Sequence, residues 1–339
     1  MWEFIRDHPL YPRIVRILQD TGFSWIIEID RLQIDWALIT AMIERWRPET
    51  HTFHLPIGEA TITLEDVEVL FGLPVDGILV AYPHAPRDYR GVHYQHILQR
   101  LIDFQSAEET ALSGASRLQM TPARQHLAAM DAEIMDDSPA EDIDWHTRLL
   151  LLLMFGGVMF PNTSGNLVSL RFLHHLERLD DLPSYSWGAT VLGYLFGHGS
   201  GSCSSSHLYH PMAPDAPPPP FLPFAWRWVD RRGYVREFET RHHLPYYRDL
   251  LDLLEGAQFV WSPYSDALIA GLTDYCSRDR AMWSSSIPLI CLDIDEHHAT
   301  DRVLCQFGRP QLVPIPPTWL RTHYHRDDRP GLTRHIWPG

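Results

Sequence analysis

The chain has 339 residues, a formal net charge of −15 and a hydrophobic fraction of 45%. All 28 of its basic residues are arginine. The sequence therefore excludes chemistry that needs a lysine, namely the pyridoxal-phosphate Schiff base, the Walker A loop and the strand lysine of protein kinases. The acidic balance disfavours direct nucleic-acid binding, because proteins that grip a phosphate backbone usually present a basic face.

Cysteine usage and the length of the apolar runs indicate a soluble intracellular protein. The four cysteines have no C-x-x-C spacing, which is typical of a reducing compartment. The longest apolar run, Leu149–Phe160, has 12 residues, whereas a bilayer span needs about 20. Met1–Tyr11 lacks the pattern of a secretory leader. We therefore expect neither a disulfide framework nor a membrane segment.

Two amphipathic helices are predicted at the start of the chain. The first covers Pro12–Asp20, with proline in its first turn and Gly22 just beyond its end. The second is indicated by apolar residues at alternating spacings of four and three, the period of one helical face. These residues are Leu32, Trp36, Ile39, Ile43 and Trp46.

The most densely specified stretch is Trp46–Gly77, which we call the hairpin–helix segment. Thr52–Leu55 and Ala60–Thr63 are short runs rich in Thr, Phe and Ile, and Pro56–Glu59 lies between them. This pattern predicts a β-hairpin with a four-residue loop.

A capped helix is predicted directly after the hairpin. Thr63 stands three residues before Asp66, the spacing of a capping box. Gly72 is suited to the left-handed position that ends a helix, and Pro74 prevents continuation. The apolar face of this helix is formed by Leu64, Val67, Leu70 and Phe71.

Helices also dominate the pattern between residues 92 and 196. The predicted helices are Val92–Phe104, Thr121–Ile134, Trp145–Phe160, Val168–Leu182 and one that starts at Ser184 or Ser186. Gly156-Gly157 indicates close helix packing or a kink. The acidic stretch Asp136–Asp144 is interpreted as a solvated loop, with a metal or partner site as the alternative.

A Gly/Ser/Pro-rich stretch interrupts this pattern and sets the predicted domain organisation. Residues 1–196 form an N-terminal helical part, 197–223 a linker or disrupted segment, 224–322 the C-terminal part of the same domain, and 323–339 a polar tail. The predicted elements of the C-terminal part are helices at Pro245–Leu254 and Ser265–Asp274, a strand at Ile287–Leu292 and helical turns at Arg302–Phe307. The predicted fold class is mainly α: a multi-helix globular domain with a small β-hairpin near residues 52–63 and short strands in the C-terminal part.

Catalytic and metal-binding patterns are weak. His51 and His54 are three residues apart on a predicted strand, which places them on opposite faces, so a site with Glu59, Glu65 and Asp66 depends on tertiary contacts. The set Cys291, His297, His298 and Cys305 lacks the tight paired spacing of structural zinc sites. Neither a dinucleotide-binding glycine motif nor a G-x-S-x-G elbow occurs. The residues alone predict no catalytic, cofactor or metal site.

Segments along nearly the whole chain resemble the plant mobile domain family, also labelled aminotransferase-like. They are Trp46–Pro56 (WRPETHTFHLP), Gly58-Glu59, Thr63–Val67, Gly72–Gly77 (GLPVDG), Gly156-Gly157, Phe160-Pro161, Tyr185–Gly188 (YSWG), Arg227-Trp228, Trp261–Tyr264 (WSPY) and Asp301–Gly308 (DRVLCQFG). Between Phe196 and Phe224 the chain departs from the family, which has an apolar, Trp-containing helix there.

The resemblance implies an α-rich plant domain shared between transposable elements and host genes. Host members act as nuclear factors in transposon silencing, genome stability and meristem maintenance, and some are joined to or act with phosphoprotein phosphatases. It implies a nuclear location and protein partners, with a phosphoprotein phosphatase or other nuclear silencing factors as candidates, and it carries over no catalytic residue, cofactor or metal. The absence of lysine contradicts the aminotransferase label.

The family motifs supply structural or interaction candidates instead of catalytic ones. These are Trp46, Arg47, Pro48, Thr50, His51, Phe53, Gly58, Glu59, Asp66, Gly72, Trp187, Arg227, Trp228, Trp261, Arg302, Gln306 and Phe307.

Three functional hypotheses follow. The first is a non-enzymatic nuclear interaction protein. The second is a transposon-derived, metal-dependent hydrolase, which requires converging carboxylates or histidines. The third is a nucleic-acid-binding module, which requires a contiguous basic face, with the candidates Arg227, Arg231, Arg232, Arg236 and Arg241.

Overall fold

The computed structural model describes residues 10–20, 22–28, 36–82, 89, 91–104, 112, 116–135, 138–162, 165–198 and 240–314. Within these ranges the fold is mainly helical, as predicted. The α-helices are α1 (Pro12–Asp20), α2 (Ser24–Glu28), α3 (Trp36–Ile43), α4 (Leu64–Phe71), α5 (Gly91–Ile102), α6 (Met120–Glu133), α7 (Ala140–Met154), α8 (Trp187–Gly197), α9 (Thr240–Asp252) and α10 (Asp266–Ala270).

Short strands form three small sheets in the described part of the chain. The strands are β1 (Trp46–Arg47), β2 (Thr52–Leu55), β3 (Gly58–Ala60), β4 (Val80–Ala81), β5 (Arg117–Gln119), β6 (Leu167–Ser169), β7 (Pro288–Leu292) and β8 (Ile294–His297). The sheet orders are β1-β2-β3, β4-β7-β8 and β5-β6. Strand β4 pairs in parallel with β7, with Val80 opposite Cys291, so the N-terminal and C-terminal parts share one sheet.

The core is built around α7, whose leucine run from Leu149 to Leu153 is buried on every side. A π-helical turn, Phe155–Met159, continues α7. A Cβ at Gly156 would lie 2.5 Å from the Cβ of Val168, so this position requires glycine for close approach to β6. The predicted buried helix is therefore confirmed, and its glycines lie in a π turn that makes a tight contact. It begins at Ala140 instead of Trp145, so residues 140–144 of the stretch interpreted as a solvated loop are helical.

The predicted helix Val168–Leu182 is wrong. The first residues of this stretch belong to strand β6, which pairs with β5. Two 3-10 helices follow, Leu170–His174 and Leu179–Ser184. The leucines of this stretch recur every three residues, which is the period of a 3-10 helix and not of an α-helix.

Several predicted boundaries also differ. The hairpin has a two-residue loop, because Leu55 pairs with Gly58 and the second strand ends at Ala60 instead of starting there. Helix α6 begins at Met120, after the N-cap residue Gln119, one residue before the predicted start at Thr121. The region predicted as one helix, Ser265–Asp274, contains the short α10 and a separate 3-10 turn, Asp274–Cys276. Helix α8 starts after Ser186, one of its two predicted start points.

Other predictions fall outside the described residues. They concern most of the 197–223 linker, the pair Arg227-Trp228 and the 323–339 tail. The proposed basic face is outside them too, except for the backbone of Arg241 in α9.

Candidate interaction site around the hairpin–helix segment

The hairpin is joined to the C-terminal part by a buttressed ion pair. Glu59 on β3 accepts hydrogen bonds from Arg302 Nε at 2.8 Å and Nη2 at 2.6 Å, and from Thr52 Oγ1 at 2.9 Å. Burial alone would raise the pKa of Glu59, but these donors outweigh it and the pKa is lowered. The carboxylate is thus held charged and is fully occupied by internal donors.

The side-chain amide of Gln306 pairs with the backbone of Thr61, just after the hairpin, as a neighbouring strand would. The backbone N–H of Thr61 donates to Gln306 Oε1 at 2.8 Å, and Gln306 Nε2 donates back to the Thr61 carbonyl at 2.9 Å. This reciprocal pair satisfies a buried backbone that has left the sheet. It also explains why the second strand is shorter than predicted. Phe307 packs beside it against the core.

The capping box of α4 is present as predicted, and a distant tyrosine completes it. Thr63 Oγ1 accepts from the N–H of Asp66 at 3.2 Å, and Asp66 accepts from the N–H of Thr63 at 2.8 Å. Tyr264 of the WSPY motif donates to Asp66 at 2.9 Å. Gly72 ends the helix in the left-handed conformation (φ 67°). A Cβ at Gly72 would lie 2.3 Å from the ring of Tyr275.

A second carboxylate on α4 was missed in the sequence. Glu68 is fully buried and accepts from the N–H of Asp279 at 2.8 Å and from Trp283 Nε1 at 2.5 Å. Asp279 in turn accepts from the N–H groups of Val75 and Asp76 at 2.9 and 3.0 Å. Burial raises the pKa of Glu68 to about 7 despite these donors. The available signal was its position four residues after Leu64, on the apolar face.

The GLPVDG and YSWG motifs hold each other by backbone hydrogen bonds. Ile78 N donates to Ser184 O at 2.7 Å, Ser186 N donates to Ile78 O at 3.0 Å, and Gly188 N donates to Pro74 O at 2.7 Å. Next to them Trp187 is fully buried, and its Nε1 donates to the Leu182 carbonyl at 2.9 Å. These motif residues therefore serve the fold.

Aromatic packing supports the inner side of the hairpin. The rings of Trp46 and Phe53 meet edge to face at 4.8 Å, and the His51 ring stacks on Phe196 at 4.5 Å. His51 Nε2 also lies 3.4 Å from the buried carboxylate of Glu296. His51 is thus a buried residue of the hairpin–α8 contact, whereas His54 is exposed. The prediction that both lie on one strand is wrong, because His51 lies in the turn before β2 with a left-handed backbone (φ 52°).

Comparison with known proteins identifies the family to which this arrangement belongs. The sequence profile described as "Plant mobile domain" matches residues 22–210 and 206–337. The chain belongs to the plant mobile domain family. No solved structure matches it.

Relatives of this plant mobile domain come from Arabidopsis thaliana. "Serine/threonine-protein phosphatase 7 long form homolog" is 31% identical over 98% of this chain and 26% of that protein. "Protein MAIN-LIKE 2" is 29% identical over 92% of this chain and 48% of its own length. "Protein MAINTENANCE OF MERISTEMS" is 28% identical over 92% of this chain and 66% of its own length. The chain thus spans between about a quarter and two thirds of the length of these relatives.

The alignments also show that this plant mobile domain lacks residues that a relative has. The phosphatase-named relative aligns over 363 positions, whereas this chain has 339 residues, so at least 24 positions have no counterpart here. The two segments of the family match meet at residues 206–210, inside the stretch that departs from the family pattern.

The contacts of the His54 ring bear on the hydrolase alternative. Its Nε2 lies 3.4 Å from Thr50 Oγ1 and 3.7 Å from Glu59 Oε1. Both oxygens approach the same ring nitrogen, so the imidazole does not bridge an acid and a nucleophile as a catalytic triad requires. Glu59 is also held by Arg302. The contacts of His54 therefore do not form a triad.

The other proposed histidine and carboxylate sets are used structurally. His298 is buried, its Nδ1 donates to the Ser285 carbonyl at 3.0 Å, and burial lowers its pKa to about 4. His297 Nε2 is hydrogen-bonded to Ser286 Oγ at 2.9 Å. Among the residues that the structure describes, no group of three or more His, Cys, Asp or Glu side chains is placed to hold a metal ion.

Some of the residues proposed from the sequence lie at the surface. Arg47, Pro48 and His54 are exposed, and Trp261 covers Gly58, where a Cβ would lie 3.4 Å from the indole. Arg227 and Trp228 lie outside the described residues. No helix among the described residues is long and apolar enough to cross a membrane.

Proposed function

We propose that this plant mobile domain is a non-enzymatic protein-interaction module that acts in nuclear regulation, of the kind involved in transposon silencing, genome stability and meristem maintenance. One observation carries the proposal. The polar side chains of the hairpin–helix segment and its partner motifs bond to backbone groups and to one another. Glu59, Asp66, Glu68, Asp279 and Gln306 all do so. Side chains committed in this way build a shape and are not free to take part in a reaction.

The outward face of the hairpin is the proposed docking surface. Arg47, Pro48 and His54 project from it, and the His54 side chain is 42% exposed. The ion pair of Glu59 with Arg302 fixes the position of this face, since Glu59 lies directly opposite His54 in the strand register. Preorganised surfaces bind with a smaller loss of conformational entropy, which supports a recognition role for a small, firmly held hairpin.

The proposed partners are nuclear silencing factors or a serine/threonine phosphatase. The name of the phosphatase-named relative supports the second choice, because 98% of this chain aligns with 26% of that protein. A domain that occurs within a phosphatase-named chain is expected to work beside such a catalytic unit, whether in the same polypeptide or in a partner.

Affinity capture from Arabidopsis nuclear extract tests the proposal. The wild-type chain is compared with a double variant, Arg47→Ala with His54→Ala, and with a control double variant, Met135→Ala with Arg178→Ala. The control side chains are also accessible, at 62% and 76% exposed.

We expect the wild type and the control to retain the same partner in stoichiometric amounts and the Arg47/His54 variant to lose it, with unchanged circular dichroism. The proposal fails if no partner is retained, or if the hairpin variant retains it equally well.

A further inference from the structure

Helix α9 carries apolar side chains on two sides. Its inner side packs against the core through Leu244, Tyr247, Leu251 and, just beyond the helix, Leu254. A second row, which we call the outer stripe, consists of Tyr246, Leu250 and Leu253. These side chains are 61%, 40% and 77% exposed. Tyr246 and Leu250 lie four residues apart on one face of the helix. Leu253 follows just beyond the helix end, where its N–H still donates to the Asp249 carbonyl in helical register.

The exposure of the outer stripe is not caused by a loosely attached helix. Arg248 forms a bidentate ion pair with Glu44, and Arg45 donates to Asp252 at 2.5 Å and to the Arg248 carbonyl at 3.0 Å. These contacts fix the rotation of α9 against α3. The stripe is therefore presented to solvent by a helix whose orientation is set.

The charged groups near the outer stripe are mainly acidic. Asp249 and Glu255 are exposed on α9 or just after it. The other charged side chains described here form ion pairs, Arg45 with Asp252 and Arg248 with Glu44. An apolar row beside exposed carboxylates is complementary to an amphipathic helix with basic flanks. Two copies of this chain would bring like charges together.

We propose that the outer stripe of α9 binds a basic amphipathic helix of a partner protein. The proposal deepens the proposed function, on which it rests, by assigning a second contact surface and the chemistry of its ligand. The stripe supplies the apolar contacts, and Asp249 and Glu255 select positive flanks.

Peptide binding to the full chain, followed by fluorescence anisotropy, tests this proposal. The probe is a synthetic helix of about five turns with leucines at i, i+3, i+4 and i+7 and arginines on both flanks. A second peptide keeps the leucines and replaces the arginines with glutamates. The variants are Leu253→Ser and Tyr246→Ser, and the control is Val313→Ser, which alters a residue 90% exposed outside the helix.

We expect the basic peptide to bind at least about ten-fold more tightly than the acidic one, with affinity that falls as salt is added. Each stripe variant should weaken binding about ten-fold or more, whereas Val313→Ser should leave it unchanged.

Three outcomes overturn the proposal: no binding of the basic peptide, equal binding of the two peptides, or binding that Leu253→Ser leaves intact. A wild-type dimer that Leu253→Ser converts to a monomer would assign the stripe to a second copy and overturn it too. Partner capture that still depends on Arg47 and His54 would show that the proposed function stands when this inference fails.

Discussion

Replacing Gln306 with alanine tests how strongly the C-terminal part holds the hairpin. The side chain makes two hydrogen bonds to the backbone of Thr61, which is buried. Its loss leaves one buried donor and one buried acceptor without a partner, at about 1–3 kcal/mol each. Because Gln306 is itself half-buried and water enters in its place, the lower end applies to each group. We expect Gln306→Ala to lower the free energy of unfolding by about 2–3 kcal/mol.

The same chain provides a matched control in Gln311. This glutamine also bonds to the backbone, accepting from Leu304 N and donating to Asp301 O, both at 2.9 Å, but it is exposed. Water replaces such bonds, so Gln311→Ala should cost less than about 1 kcal/mol. Urea denaturation at constant m-value measures both variants. Equal losses for the two glutamines, or a loss below about 0.5 kcal/mol for Gln306→Ala, would refute the reasoning.

Two further predictions concern α4. Gly72→Ala combines a left-handed backbone with a clash against Tyr275, so it should lower the free energy of unfolding by more than about 2 kcal/mol. The control Gly256→Ala has open space around it and no positive φ, so it should change the free energy of unfolding by less than about 0.5 kcal/mol. Similar melting temperatures for the two variants would contradict this prediction. Burial raises the pKa of Glu65 from 4.5 to about 8, so the folded state binds the proton more tightly and the free energy of unfolding should fall as pH rises from about 5 to 8, by up to about 1.4 kcal/mol per pH unit. Glu65→Gln should reduce this decline, leaving the part that the raised pKa of Glu68 causes, and should be the more stable protein at pH 8.5 but not at pH 4. Identical pH profiles for the two proteins would contradict the assignment.

Local chemistry made much of the hairpin–helix segment predictable. Thr63 and Asp66 satisfy each other across three residues, and Gly72 ends the same helix in the left-handed conformation. Both features depend on neighbours in the sequence. Strand alternation, by contrast, does not account for the burial of His51 and the exposure of His54, because His51 lies in the turn before β2 with a positive φ.

The contacts that turn the segment into a site were not predictable in the same way. Gln306 and Thr61 are 245 residues apart, and Glu59 and Arg302 are 243 apart. No periodicity specifies such pairs, since they depend on how β4 and β7 bring the two parts together. The family motifs identified the residues without identifying their partners.

The wrong helix at Val168–Leu182 shows a second limit of pattern reading. A leucine every three residues was interpreted as an α-helical face, although the exact period of three fits the 3-10 turns that are observed. Glu68 is the reverse case. A charged residue on the apolar side of a helix is a signal of a buried hydrogen-bonded carboxylate. The sequence contains this signal at Glu68, but no prediction was made from it.

The central claim is that motif side chains hold the hairpin–helix segment rigidly to the rest of the domain. Hydrogen–deuterium exchange tests it most directly at three amides that are bonded by side chains: Thr61, Val75 and Asp279. We predict that they exchange as slowly as the core amide of Leu150, because they open only with the domain. Exchange of these amides near the rate of an unstructured peptide would contradict the account.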